Sequence, residues 1–218
     1  MSKEINNKLA EQGVVFVDID RSYISEETVI SENIVIYPDV HIEGKCVIGK
    51  DCKILPGSFL IDATIGDNTT IISSRIVESR VDNNVSVGPN SHLRGNTHIF
   101  DDCRIGNFVE MKNVNFGKGS KCAHLTYLGD ANIGERVNVG CGVITANYDG
   151  KNKNHTEVGD DTFIGSNVTL IAPIKIGSKV LLAAGSTINQ EVLDGEMGIA
   201  RSRQQNKEGY GYKYLNKE

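Results

Sequence analysis

The chain of 218 residues has no Trp, three Met, four Pro and only 6% aromatic residues, and its 11 Leu are outnumbered four to one by 24 Ile and 20 Val. Scarce Leu and abundant β-branched residues argue against an all-helical bundle and for a core built of strands. Long apolar runs are missing too. No window approaches 18 uninterrupted apolar residues, and the opening Met1-Ser-Lys-Glu-Ile-Asn-Asn-Lys8 holds no apolar stretch of signal-peptide length. The protein therefore reads as cytoplasmic, with no membrane span. Basic charge is not in excess: 23 Lys and Arg stand against 28 Asp and Glu, a net charge of −5. This disfavours nucleic acid or an anionic membrane as the main partner, while leaving room for a local basic pocket. The five cysteines, Cys46, Cys52, Cys103, Cys122 and Cys141, are odd in number and have no CxxC spacing, so neither a disulfide framework nor a zinc site is expected. What the chain does have in quantity, beside Ile and Val, is 23 Gly and 20 Asn, residues that make turns requiring positive φ.

Those residues follow a six-residue repeat. Aliphatic residues recur at its first position, from Ile30, Ile36, Ile42 and Ile48 through Ile105, Met111 and Phe116 to Ile164, Leu170, Ile176, Leu182 and Ile188, with occasional steps of five. Position two is often Gly, and position five is small or β-branched, as at Cys46, Cys52, Ser58, Val85 and Ser120. Three such units make one triangular coil of a parallel β-helix with the aliphatic residues stacked inside. The resemblance to hexapeptide-repeat proteins implies left-handed coiling. The expected fold is thus an all-β, left-handed parallel β-helix of about nine coils over residues 28–192. Residues 1–27 read as a short helix and an entry strand capping the first coil, residues 146–157 as an excursion loop, and residues 193–218 as a C-terminal arm that covers the last coil or reaches a neighbour.

Most residues in such a solenoid are scaffold, so those that contradict their slot carry information. Arg94 and Lys112 stand at position two, where Gly is usual, one whole coil apart. Their side chains should stack ~5 Å apart. They are either two solvated surface charges or a clamp for a phosphate or carboxylate, Arg supplying a planar fork and Lys a point charge. At position three of another face, Asn107, His124 and Cys141 form a column, which Ser166 and Ala184 continue if the loop leaves and returns without changing faces. From His124 to Ala184 is three coils, ~15 Å, the reach of a pantetheine arm. Tyr127 ends the face that carries His124, next to the Arg94/Lys112 column, and Asn138 lies at the other corner. His124 suits a general base, whereas His41, His92 and His98 at position six read as bystanders. Cysteine at position five is a core residue, which argues against thiol catalysis. His92 and His98 fall on different faces, which argues against a zinc site.

Four segments carry a more specific resemblance: Gly106-Asn-Phe-Val-Glu-Met-Lys-Asn113, Gly117-Lys-Gly-Ser-Lys-Cys-Ala-His-Leu-Thr-Tyr-Leu-Gly-Asp130, Asn147-Tyr-Asp-Gly150 and Ala183-Ala-Gly-Ser186. They resemble the C-terminal acetyltransferase half of the bacterial bifunctional N-acetylglucosamine-1-phosphate uridyltransferase/glucosamine-1-phosphate acetyltransferase family. The resemblance implies N-acetylation of glucosamine 1-phosphate by acetyl-CoA, with His124 as base and Arg94, Lys112, Tyr127 and Asn138 holding the sugar phosphate. It implies contacts to acetyl-CoA from Cys141, Asn147, Tyr148, Ser166, Ala184 and Arg201, and a Lys153 that reaches into a neighbour's site in a homotrimer. No metal is implied. The sequence has no uridyltransferase domain, so that second activity is not expected, and a separate nucleotidyltransferase could be a partner. The alternatives are an acetyltransferase for another amino sugar or sugar nucleotide, and a non-catalytic trimeric scaffold or sensor. Three departures touch the site: Cys141 replaces the usual Ala, Cys122-Ala123 replaces the usual Ala-Gly, and Gly95 replaces the Pro that usually follows the Arg.

Overall fold

A computed structural model describes residues 2–215. The repeat becomes a three-faced parallel β-helix of about ten turns. Each short strand pairs in parallel with the strand one coil away, so Ile54, Ile71, Val87, Ile105 and Cys122 stack as one internal column. Two further columns run through Ile65, Val81 and Ile99, and through Leu60, Ile76, Leu93 and Met111. These first-position side chains are almost completely buried, which is why a six-residue aliphatic period fixes the fold.

The other slots have equally physical reasons. Position-five residues sit inside the corners and are mostly Cys, Ser, Thr, Ala or Val, with Ile34 and Ile174 the larger exceptions. Most of the buried hydroxyls bond to backbone carbonyls, as Thr69 Oγ1 does to Asp82 O at 2.9 Å and Ser120 Oγ to Gly134 O at 2.8 Å, which offsets their desolvation; Thr156 Oγ1 is buried without such a partner. The residue just before, at position four, turns the corner in the left-handed region. Of the 19 described non-Gly residues with positive φ, 13 are Asn or Asp, the residues that tolerate that region best. Seven of the 20 Asn are thus corner residues.

The helix extends beyond the repeat register at both ends. Val15–Phe16 pairs with Val35–Ile36 and Ser22–Ile24 pairs with Val40–Glu43, so an additional first coil lies within the segment read as a cap. At the other end, Met197–Gly198 pairs with Leu181–Leu182 and Val192 bridges Ile176. The coil count of nine therefore becomes about ten. Helix α1 (Ser2–Glu11) closes the N-terminal end: Leu9 is buried against the first coil, and the buried Asn6 amide donates to the carbonyls of Ile19 and Ser22, each at 2.9 Å. A second short helix, Tyr210–Leu215, ends the described arm; residues 216–218 of the expected arm lie outside the described residues.

The two coils that carry Lys112, His124 and Tyr127 form a distinct block. Arg104–Phe116 and Lys121–Ile133 run as 13-residue strands that stay in register around all three faces. Both coils contain one five-residue unit, so the spacing of 17 keeps every side chain directly above its counterpart.

Candidate functional site

On one corner of that block, Arg94 and Lys112 are register partners, with Gly129 next in the column. The stack is not a bare pair of cations. Arg94 Nε and Nη2 both donate to Glu110 Oε1, at 2.8 and 2.5 Å, and Glu110 itself stacks between His92 and Tyr127. Lys112 meets a second ammonium group: Lys153, reaching back from the loop, holds the Lys112 pKa below the ordinary lysine value, with desolvation and Arg94 acting in the same direction. Asp130 completes the corner. Burial raises its pKa, but hydrogen bonds from Asn113 (2.8 Å) and Asn147 (2.5 Å), together with the Lys153 and Lys112 charges, outweigh burial and hold the carboxyl below its usual range. Three cations and two carboxylates thus share one corner, which leaves a surplus of positive charge of the kind that suits an anion.

Two glycines shape this corner. A Cβ on Gly129 would lie 2.5 Å from Tyr127 Oη and 2.8 Å from Asn147 Nδ2, so the bare backbone is what lets the phenol and the amide meet over the Lys112 column. Gly129→Ala is expected to push Tyr127 and Asn147 apart and to weaken binding of inorganic phosphate at this corner about tenfold, a cost of ~1.4 kcal/mol, read by calorimetric titration. Gly95 has φ +63° and is followed by Asn96 in the same region. Pro, fixed near −65°, does not fit that turn, and a Cβ at Gly95 would sit 3.2 Å from Lys112 Cγ.

Around the corner, His124 is exposed and pairs in register with Asn107, and its carbonyl accepts from Thr126 Oγ1 at 2.8 Å. The corner residues beside these two, Phe108 and Leu125, have φ +56° and +46° and are 55% and 59% exposed. Bulky apolar residues in the left-handed region are backbone outliers, and these two flank His124 and its register partner. After the loop, Asn138 and Val139 pair with Phe163 and Ile164, so the chain returns to the same face. Asn167 N donates to Cys141 O at 2.7 Å and Gly185 N to Ser166 O at 2.8 Å, which stacks Cys141, Ser166 and Ala184 in one rising column. Arg201 Nη1 donates to Ala184 O at 2.9 Å, placing a guanidinium at the far end of that column.

The remaining expected site residues fall as follows. Asn138 pairs with Lys121, three strand positions and ~10 Å along the face from His124, so one chain does not bring it to the cation corner. Tyr148 is exposed on the loop, its hydroxyl donating to Gly150 O at 2.8 Å. Lys153 lies on the Lys112 side of its own chain rather than along the Cys141 column. Of the cysteines, only Cys141 is partly exposed. Burial pushes the Cys122 thiol up to about 12, and those of Cys52 and Cys103 to about 11. Alkylation of the folded protein at pH 8 is expected to modify Cys141 alone, as read by intact and peptide mass spectrometry; modification of Cys122 at a comparable rate would contradict this packing.

Glu110 and Asp130 were not singled out from the sequence. Acidic residues at positions six and four occur throughout the solenoid as surface or corner residues, and only their register against Arg94, Tyr127 and Asn147 marks these two.

The description "bacterial transferase hexapeptide (six repeats)" matches residues 27–61 and 155–190. Over 210 residues, 96% of its length, the chain is 49% identical to the bifunctional protein GlmU of an Exiguobacterium species and 50% identical to that of a Geobacillus species. These alignments cover 47% and 46% of the two relatives, so the chain spans about half the length of the curated relatives it matches. Among solved structures, UDP-N-acetylglucosamine acyltransferase of Francisella novicida shares the fold with a TM-score of 0.52 at 16% identity, over 83% of this chain and 65% of that one.

Proposed function

Because the chain is related over nearly its whole length to the C-terminal, hexapeptide-repeat half of the bifunctional GlmU proteins, we propose that it transfers the acetyl group of acetyl-CoA to the amine of glucosamine 1-phosphate. The observation that carries this reading is a cation corner in which Arg94 and Lys112 stack across adjacent coils with Lys153 of the loop beside them, next to the face that carries His124. The column beyond His124 has the length of a pantetheine arm: from His124 past Cys141 and Ser166 to Ala184 is three coils, ~15 Å, and Arg201 stands at its end.

In this reading the corner holds the sugar phosphate and so fixes the amine near the thioester. His124 takes a proton from the amino group, the amine attacks the thioester carbonyl, and the C–S bond breaks to release the thiol of CoA, which takes up a proton. A backbone N–H beside this column stabilises the charge that develops on the carbonyl oxygen. Tyr127 and Asn138 bind the sugar, and Cys141, Asn147, Tyr148, Ser166, Ala184 and Arg201 bind the donor. A homotrimer in which Asn138 meets the corner of a neighbour is part of this reading, as is a cytoplasmic setting, while Lys153 belongs to the corner of its own chain, beside Lys112.

The test is product identification. Protein, acetyl-CoA and glucosamine 1-phosphate are incubated and the sugar is analysed by mass spectrometry, with glucosamine, UDP-glucosamine and glucosamine 6-phosphate in parallel. N-acetylglucosamine 1-phosphate formed fastest supports the reading. A different preferred amine transfers it to that sugar, and unchanged amines throughout reject catalysis in favour of a scaffold.

A further inference from the structure

The loop between Asn147 and His155 contributes Lys153 to the cation corner, yet bringing a second ammonium group against Lys112 is unfavourable by itself. Something must hold the loop in place against that repulsion. Its internal bonding converges on one side chain. Asp149 Oδ1 accepts from the backbone N–H groups of Lys151 and Asn152, at 2.8 and 2.7 Å, and Asp149 Oδ2 accepts from Asn154 Nδ2 at 3.1 Å. Asn154 N in turn donates to Asn147 O at 2.7 Å, and Tyr148 bridges Lys153 in an antiparallel pair. The loop is thereby a closed hairpin whose foot, Asn147, is tied to Asp130 and whose returning limb carries Lys153 to Lys112.

We propose that Asp149 is a positioning residue: it folds the loop so that Lys153 is held beside Lys112 before any ligand arrives, and a phosphate monoester relieves the enforced repulsion when it binds. The proposal rests on the acceptor reading above and deepens it, because it makes the affinity for the phosphoryl group, rather than for the sugar or the donor, depend on a residue that touches neither. The bonds to Asp149 hold its carboxyl down to about 2, the backbone N–H groups of Asn152 and Lys151 contributing most. The loop contribution is therefore complete above the ordinary carboxylate range and is lost only as pH falls toward 2, so at neutral pH only substitution removes it.

A double-mutant cycle decides the point. Binding of glucosamine 1-phosphate is measured by calorimetry for wild type, Asp149→Ala, Lys153→Met and the double variant, with inorganic phosphate as a second probe. Each single substitution is expected to weaken binding about tenfold, the loss of one charge-assisted contact, and the double variant no more than either alone. Asp149→Asn, which still accepts from the two backbone N–H groups, is expected to recover most of the loss. In steady state the effect falls on the KM for glucosamine 1-phosphate, with the KM for acetyl-CoA unchanged, a split that general loop collapse would not produce because Asn147 and Tyr148 would be lost to the donor as well. Losses that multiply to about 100-fold in the double variant, or an equal rise in the KM for acetyl-CoA, overturn the proposal. The binding arm stands without turnover, so a protein that binds phosphate through Lys153 but transfers no acetyl group rejects the reaction and not the role of Asp149.

Discussion

Replacing His124 with Ala is expected to leave the protein folded and able to bind acetyl-CoA while lowering kcat by about 10² to 10⁴, the usual contribution of a general base. Folding survives because the His124 side chain is exposed at position three and adds nothing to the core, whereas Cys122 and Thr126 on either side of it are buried and unchanged. Donor binding is expected to survive because the residues assigned to the donor, Cys141, Ser166 and Ala184, stack on later coils, with Arg201 bonded to the Ala184 carbonyl, and none of them depends on the imidazole. A kcat within threefold of wild type would show that the proton is taken elsewhere. A fall in kcat accompanied by an equal rise in the KM for acetyl-CoA would show instead that His124 holds the donor.

Arg94→Ala is expected to reduce kcat/KM for glucosamine 1-phosphate by about 30- to 200-fold, or ~2–3 kcal/mol for a hydrogen-bonded charge contact, with most of the change in KM. The loss has two sources. One is the missing guanidinium, and the other is Glu110, whose carboxylate is bonded by Arg94 in the intact protein and would face the incoming phosphate uncompensated once Arg94 is gone. Adding Glu110→Gln to Arg94→Ala is therefore expected to restore part of the activity, whereas two independent contacts would give losses that add. Steady-state titration of the acceptor at fixed, saturating acetyl-CoA measures both variants, and an unchanged KM for Arg94→Ala would remove Arg94 from the acceptor site.

How far the sequence carried these conclusions depends on whether a feature lives in the period or across it. Ile48, Ile54, Leu60 and their successors announce the β-helix because each must point inward every sixth residue, and Arg94 and Lys112 announce a corner because they occupy a slot meant for Gly. The first coil was harder to see: Phe16, Ile24 and Ile30 are unevenly spaced and no Gly follows them, yet they stack on Ile36, Ile42 and Ile48. Glu110 and Asp130 sit in slots where a charge is unremarked, and their meaning appears only when the register sets them against Arg94 and Asn147. Gly129 is hidden in the opposite way, since it obeys the repeat while making room for Tyr127 and Asn147. Lys153 lies in a loop without a period, so no counting of coils could place it beside Lys112.

The most direct measurement is the ratio of kcat/KM for glucosamine 1-phosphate to that for glucosamine, followed as thiol released from acetyl-CoA by the wild-type protein. If the corner formed by Arg94, Lys112 and Lys153 grips the phosphoryl group, the ratio is expected to be on the order of 10² or more, since each charge-assisted contact contributes about 1.5–3 kcal/mol. A ratio near one, with both sugars acetylated, would contradict the assignment of this corner to the acceptor phosphate.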